Sequence, residues 1–237
     1  MKKNTRRGYN EQDQRWFSYN ELIRLRKASE EIEWLLNRDY RLEQVVAFVG
    51  DRYQFSVRQR EVLKRATCSA EQKNSRRMKE LSLDEMKNKD IYIDGFNLII
   101  TLEVAVSGGT LILGSDGGVR DLAGLRGTYK IIDKTEVALN LIGSFLNECS
   151  PKLVTFYLDA PVSNSRNLSY KILEMSRGWD FETNVELVIN PDVLLSKQEC
   201  VVTSDGAILD QCGSYYNLNR RIIEDCKLTA HLIKITN

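Results

Sequence analysis

In the stretch KDIYIDGFNLI, residues 89–99, Asp94 ends an apolar run and is followed at once by Gly95, Phe96 and Asn97. A carboxylate in that position loses hydration, so its charge needs a compensating partner. Three further acids repeat the placement. Asp159 closes LVTFYLD, Asp205 follows CVVTS, and Asp192 stands just past VELVI in VINPDVLL. Asp210, five residues after Asp205, faces the same place if a helix carries it one turn on. Gathered carboxylates repel, and a hard divalent cation relieves the repulsion. Oxygen-only ligands with water in the remaining positions favour Mg²⁺ or Mn²⁺. Such an ion activates water and stabilises the charge that builds on a phosphate during hydrolysis. No histidine, cysteine or serine nucleophile is required, which suits a chain with one histidine.

Polar neighbours fit the same chemistry. Asn97 lies where a helix starts, and its amide would orient Asp94 or a phosphate. Ser163, Asn164 and Ser165 open the helix after Asp159 and offer hydroxyls and backbone N–H groups to an anion. Ser204 and Thr203 lead into Asp205 and would fix its carboxylate. Arg120, Asp121 and Arg126 flank glycines that let backbone approach a ligand closely; they would touch substrate or pin a loop. Each of these residues alone serves equally well as a turn or cap. The convergence of several acids on one place carries the site reading.

The elements that must hold these residues follow from periodicity. Short apolar runs at 90–94, 153–158, 185–189, 200–203 and 232–235 predict strands, and 97–106, 134–147, 164–176 and 217–225 predict helices. This alternation implies βαβ units: an α/β domain, residues 89–237, with a mainly parallel sheet flanked by helices. In such a sheet ligands bind beyond the carboxyl ends of the strands, where the acids stand. TLILG and VRDLA around Ser115-Asp116-Gly117-Gly118 predict a β-hairpin inserted between the first two helices of the domain. Residues 1–88 read as an α-helical region ending in a polar linker over 71–89 with room for one short turn of helix. Ser18 with Glu21, and Ser56 with Gln59, have the spacing of capping boxes.

Composition sets limits. With 42% hydrophobic and 28% charged residues, 237 residues can bury a core. No apolar run suits a bilayer span, and the N-terminus lacks the apolar stretch of a signal peptide, so a soluble, cytoplasmic protein with no membrane partner is expected. Five scattered cysteines have no zinc-like spacing and read as reduced core fillers. His231, within LTAHLIKI, reads as a packed strand residue. The net charge of +1 conceals a basic surplus of 6 over residues 1–90 and an acidic surplus of 5 over 91–237. Lys2, Lys3, Arg6, Arg7 and the basic clusters at 58–65 and 73–79 would grip phosphates without reading sequence.

Taken together, YIDGFNLI, FYLDAPVSNS and CVVTSDGAILD resemble the nuclease domains of the PIN superfamily, most of all its NYN branch, over roughly residues 90–237. The resemblance implies a Rossmann-like sheet, an acidic Mg²⁺/Mn²⁺ site and endonucleolytic cleavage of RNA. By position it makes Asp94, Asp159 and Asp205 the catalytic, metal-placing acids. Asp192 and Asp210 are further ligand candidates, and Asn97, Ser163, Asn164, Ser204, Arg120 and Arg126 are candidates for binding substrate. The hairpin departs from the minimal fold. The N-terminal helices would bind RNA, a protein partner or a second copy in a homodimer. The alternative is a non-catalytic RNA-binding or scaffolding protein that retains the fold. An aspartate-nucleophile phosphatase would need an acid where Phe96 stands, and no phosphate-binding glycine loop is present.

Overall fold

The computed structural model describes residues 5–125, 127–228 and 230–236. Its centre is a four-stranded, all-parallel sheet. Strand β1 (Asp90–Asp94) pairs with β4 (Leu153–Asp159) on one side and with β6 (Val201–Val202) on the other, and β5 (Glu182–Val188) adds an outer edge, giving the order β5-β4-β1-β6. Side chains alternate between faces. Ile91 and Ile93 are fully buried in the main core, whereas Tyr92 packs the opposite face against Tyr157. The strand β5 begins earlier than its apolar run because an edge strand tolerates the polar Glu182, Thr183 and Asn184.

Helices cover both faces. On one, α6 (Gly95–Val106), α7 (Asp133–Cys149), α8 (Ser165–Met175) and α11 (Leu218–Asp225) pack Leu98, Leu102, Leu139, Ile142, Leu168 and Ile222 against the sheet. On the other, two short helices, α9 (Pro191–Leu195) and α10 (Gly206–Gln211), supply Leu195, Ile208 and Leu209. The expected α/β architecture with a mainly parallel sheet holds.

A second, three-stranded sheet lies against α6. The expected hairpin forms from β2 (Thr110–Leu113) and β3 (Val119–Asp121), and β7 (His231–Lys234) pairs parallel to β2. The 232–235 run was expected in the main sheet and belongs here instead. Its Ile233 and Ile235 join Ile112 and Leu122 in a separate core with the N-terminal helices. His231 is exposed on this strand, not packed.

The N-terminal region is helical as expected: α1 (Asp13–Trp16), α2 (Tyr19–Leu36), α3 (Leu42–Tyr53) and α4 (Val57–Ala66), then α5 (Ala70–Lys79). Ser56 and Gln59 form the expected capping box of α4. Ser18 makes no such bond; Glu21 instead pairs with Arg24 at 2.7 Å and accepts from Gln59 Nε2 at 2.8 Å. The stretch expected as a linker contains α5, opened by a capping box of Ser69 and Gln72. Apolar periodicity is blind to α5 because its buried residue is Arg76, which docks through ion pairs. Among the described residues no helix is long and apolar enough to cross a membrane.

Candidate functional site

Four parallel strands deliver their carboxyl ends to one edge of the sheet. Chain order runs outward from β1 through β4 to β5, then returns to the other side of β1 for β6. The direction therefore reverses between β1 and β6, and such a switch point opens a crevice where α/β sheets bind ligands. Asp94 and Asp205 flank it.

Asp94 ends β1 level with Tyr157 of β4 and caps α6. Only 9% exposed, its carboxylate accepts from Thr203 Oγ1 at 2.9 Å and from the Asn97 backbone N–H at 3.4 Å. Gly95 lets the chain turn from strand to helix against β4. A Cβ there would meet Leu158 Cδ2 at 2.5 Å and the Tyr157 carbonyl oxygen at 3.1 Å. Asp205 caps α10, accepting from the backbone N–H groups of Ala207 at 2.8 Å and Ile208 at 3.4 Å. Its own N–H donates to Thr203 Oγ1 at 3.1 Å. Thr203 thus ties the two acids together. Asn97 Oδ1 accepts from both the N–H and the hydroxyl of Ser204, at 3.0 and 2.9 Å, locking the first turn of α6 to the loop after β6.

Asp159 ends β4, and Asp192 stands in the first turn of α9, at the surface but with its carboxyl partly desolvated. Electrostatics links the set. Burial pushes the Asp94 carboxyl up to about 7, opposed by the Thr203 hydrogen bond and assisted by the charges of Asp205 and Asp192. Asp192 is raised by burial and by the charges of Asp205 and Asp159, and Asp159 by burial. Among the described residues none of these four acids is in an ion pair. Nor are three or more His, Cys, Asp or Glu side chains gathered closely enough to hold a metal unaided.

Other candidates stand elsewhere. Asp210 turns away and pairs with Arg76 Nε at 2.7 Å, and accepts from Gln72 at 2.8 Å. The backbone of Ser163 is tied to the 127–129 segment: its N–H donates to Gly127, and its carbonyl accepts from Tyr129. Asn164, in a left-handed conformation, donates to the Tyr129 carbonyl at 2.8 Å. Arg126 lies outside the described residues, as do Lys2 and Lys3. Arg120 is buried. Its guanidinium pairs with Asp116 at 2.6 Å and donates to the Ser204 carbonyl, also at 2.6 Å, so it pins the loop that presents Asp205. Asp121 accepts from Thr101 at 2.9 Å and from the Ala123 N–H at 2.7 Å.

Two residues beyond the expected set complete this support. Asp116, in the hairpin turn, joins Arg120 to Arg76, whose Nη1 lies 2.6 Å away and whose Nη2 donates to the Gly206 carbonyl at 3.2 Å. Both guanidiniums hold the Asp116 carboxyl far below the usual carboxylate range against the opposing effect of burial. The sequence hid this cluster, because Asp116 reads as a turn residue and Arg76 as one of several basic residues. Of the expected basic cluster at 58–65, Arg58 is drawn inward to Asp13 and Arg60 to the carbonyls of Phe55 and Ala47.

The family model described as "Domain of unknown function (DUF5616)" matches residues 83–221, more than half of the chain. This chain belongs to that family. The DUF5616 span contains all four acids at the strand ends, with Asn97, Arg120 and Asp116. A second model, "Protein of unknown function (DUF434)", matches residues 24–79, which include Lys64, Arg65 and Arg76. A protein of Methanocaldococcus jannaschii described as "Uncharacterized protein MJ0935" is 36% identical over 185 residues, covering 78% of this chain and 88% of its own. No solved structure matches the chain.

Proposed function

We propose that this chain is a metal-dependent ribonuclease of the PIN-like kind, acting at the carboxyl ends of the central sheet. The observation that carries the reading is the pair of carboxylates, Asp94 and Asp205, at the topological switch point with no cationic side chain paired to either among the described residues. Burial raises the Asp94 carboxyl to about 7, and the charges of Asp205 and Asp192 add to the shift; a positive charge would relieve that second part.

The donor set is oxygen-only, which fits a hard cation in type. Among the described residues no three acids gather closely, so an ion here would be held by one or two carboxylates with waters and substrate phosphates completing the shell, as Mg²⁺ can be. Asp94 and Asp205 would hold it, with Asp159 and Asp192 as outer acids. When bound, the ion would supply an activated water and charge stabilisation at the phosphodiester. Thr203 orients Asp94 and the Asp205 backbone, and Asn97 fixes Ser204, so both carboxylates are presented from rigid elements.

That no three acids gather closely among the described residues favours a second reading, an RNA-binding protein of the same fold without catalysis. Cleavage of mixed single-stranded and structured RNAs with Mg²⁺ or Mn²⁺, by wild type, Asp94→Asn and Asp205→Asn, separates the two. Metal-dependent cutting lost in both variants supports the nuclease. Binding without cutting under either metal, or variants that cut like wild type, removes the catalytic reading.

A further inference from the structure

A cleft of about 570 Å³ opens between the N-terminal helices and the strand-end site. Asn97, Ser204 and Asp205 line its inner end, and Phe96, Ile100 and Leu125 give it an apolar floor. The opposite wall is α4, with Lys64 and Arg65, and the start of α3, with Glu43. Its size falls within the roughly 300–1,000 Å³ of ligand pockets, enough for one or two nucleotides, and its lining sets a small apolar floor for a base among more numerous polar and charged side chains.

Most charges on this wall are bound into the fold. Arg76 and Arg120 are buried against Asp116, so they shape the cleft and leave little for a ligand. Lys64 differs, and so does the outer edge of Arg65. Lys64 Nζ stands 3.3 Å from Glu43, with the two side chains 44% and 71% exposed. Arg65 donates through Nη1 to the Asp121 carbonyl, while its Nε stands 3.5 Å from Glu61, with the two side chains 32% and 44% exposed. Exposed pairs at such separations contribute little, so an incoming phosphate can displace the carboxylates at small cost and meet two cations.

We infer that this cleft is the seat of a single-stranded RNA segment next to the bond to be cut, with Lys64 and Arg65 as phosphate contacts and Glu43 and Glu61 as carboxylates that occupy them when RNA is absent. The identity of the ligand rests on the ribonuclease reading. The α/β domain alone thus has an open, half-built substrate site, and the helices around residues 42–76 close it. Base specificity is not required of the cleft, because phosphate contacts position a strand without reading it.

The test is fluorescence anisotropy with a short labelled single-stranded RNA and the full-length chain in chelator, where no bond is cut. Lys64→Glu with Arg65→Glu should raise Kd at least about tenfold and flatten the salt dependence by roughly 1.4 in slope, the share of two phosphates on a single strand. Glu43→Gln with Glu61→Gln should tighten binding, an outcome that a purely structural role for these pairs does not produce. Lys152→Glu, at the opposite end of the sheet and 74% exposed, is the control and should leave Kd unchanged. The milder Lys64→Gln with Arg65→Gln, checked for a native melting curve, covers the case in which charge reversal unfolds α4. Wild-type affinity in both Lys64/Arg65 variants, equal weakening by Lys152→Glu, tighter binding of duplex than of single strand, or no RNA binding by wild type would overturn the assignment. Binding reads the cleft alone and Asp94→Asn cleavage reads the acids alone, so failure of one is distinguishable from failure of the other.

Discussion

The Thr203 hydroxyl donates to the Asp94 carboxylate at 2.9 Å, while the same oxygen accepts the Asp205 N–H at 3.1 Å. One side chain on the loop after β6 therefore sets the positions of both acids at the switch point. Thr203→Val keeps the shape and removes both bonds. It should destabilise the protein by about 1–3 kcal/mol, the cost of leaving buried polar groups unpaired, and raise the Asp94 carboxyl further. Chemical denaturation measures the first effect and the pH midpoint of Mn²⁺ binding the second; an unchanged midpoint would show that Thr203 does not orient Asp94.

The Asp94 carboxyl, raised from 3.8 to about 7, makes stability depend on pH with a definite sign. A raised folded-state value means that the folded protein binds the proton more tightly than the unfolded chain. Its stabilisation is complete below about 3.8 and is lost as pH rises to about 7. In chelator, the stability of wild type relative to Asp94→Asn should fall across that window, by an amount on the order of a few kcal/mol. Asp159 and Asp192 are shifted in the same direction, so they lower the stability of both proteins as pH rises and cancel in the difference. Bound Mg²⁺ or Mn²⁺ should flatten it, because the ion takes the proton's place. A difference that rises with pH in chelator would contradict the burial of a charged Asp94.

Asp116 joins Arg76 and Arg120 and so couples α5, the hairpin and α10. Asp116→Asn leaves two buried guanidiniums without their shared counter-charge, and breaking a buried pair in this way costs about 3–5 kcal/mol. Because Arg120 also holds the Ser204 carbonyl and Arg76 the Gly206 carbonyl, metal affinity should fall together with stability. Calorimetry with and without Mn²⁺ checks both. A loss below about 1 kcal/mol would mean that the cluster is replaceable.

Gly95 is required by closeness to β4. Gly95→Ala brings a Cβ against Leu158 and the Tyr157 carbonyl, and should cost about 1–3 kcal/mol as overpacking does. It should also displace Asp94, lowering metal affinity more than an alanine at the exposed Lys152 would. Urea melts and metal titration of both variants give the comparison.

What the sequence determined by itself is the part built from local regularities. The apolar runs ending in Asp94 and Asp159, and the CVVTS run before Asp205, mark strands and their carboxyl ends, because strand pleat and helix capping are written over a few adjacent residues. The α/β alternation, the hairpin and the helical N-terminal region follow from the same short-range signals. What only the tertiary structure decided rests on contacts between distant segments. The terminal run 231–234 has strand periodicity wherever it pairs; burial of Ile233 and Ile235 beside Ile112 places it in the second sheet. Helix α5 carries no apolar stripe because ion pairs from Arg76 dock it, and those partners lie 40 and 134 residues away. The same pairing turns Asp210 from the acids and makes Arg120 a support beneath Asp205. Charge residues look alike in sequence whether they face solvent, a ligand or each other, and only packing separates the three.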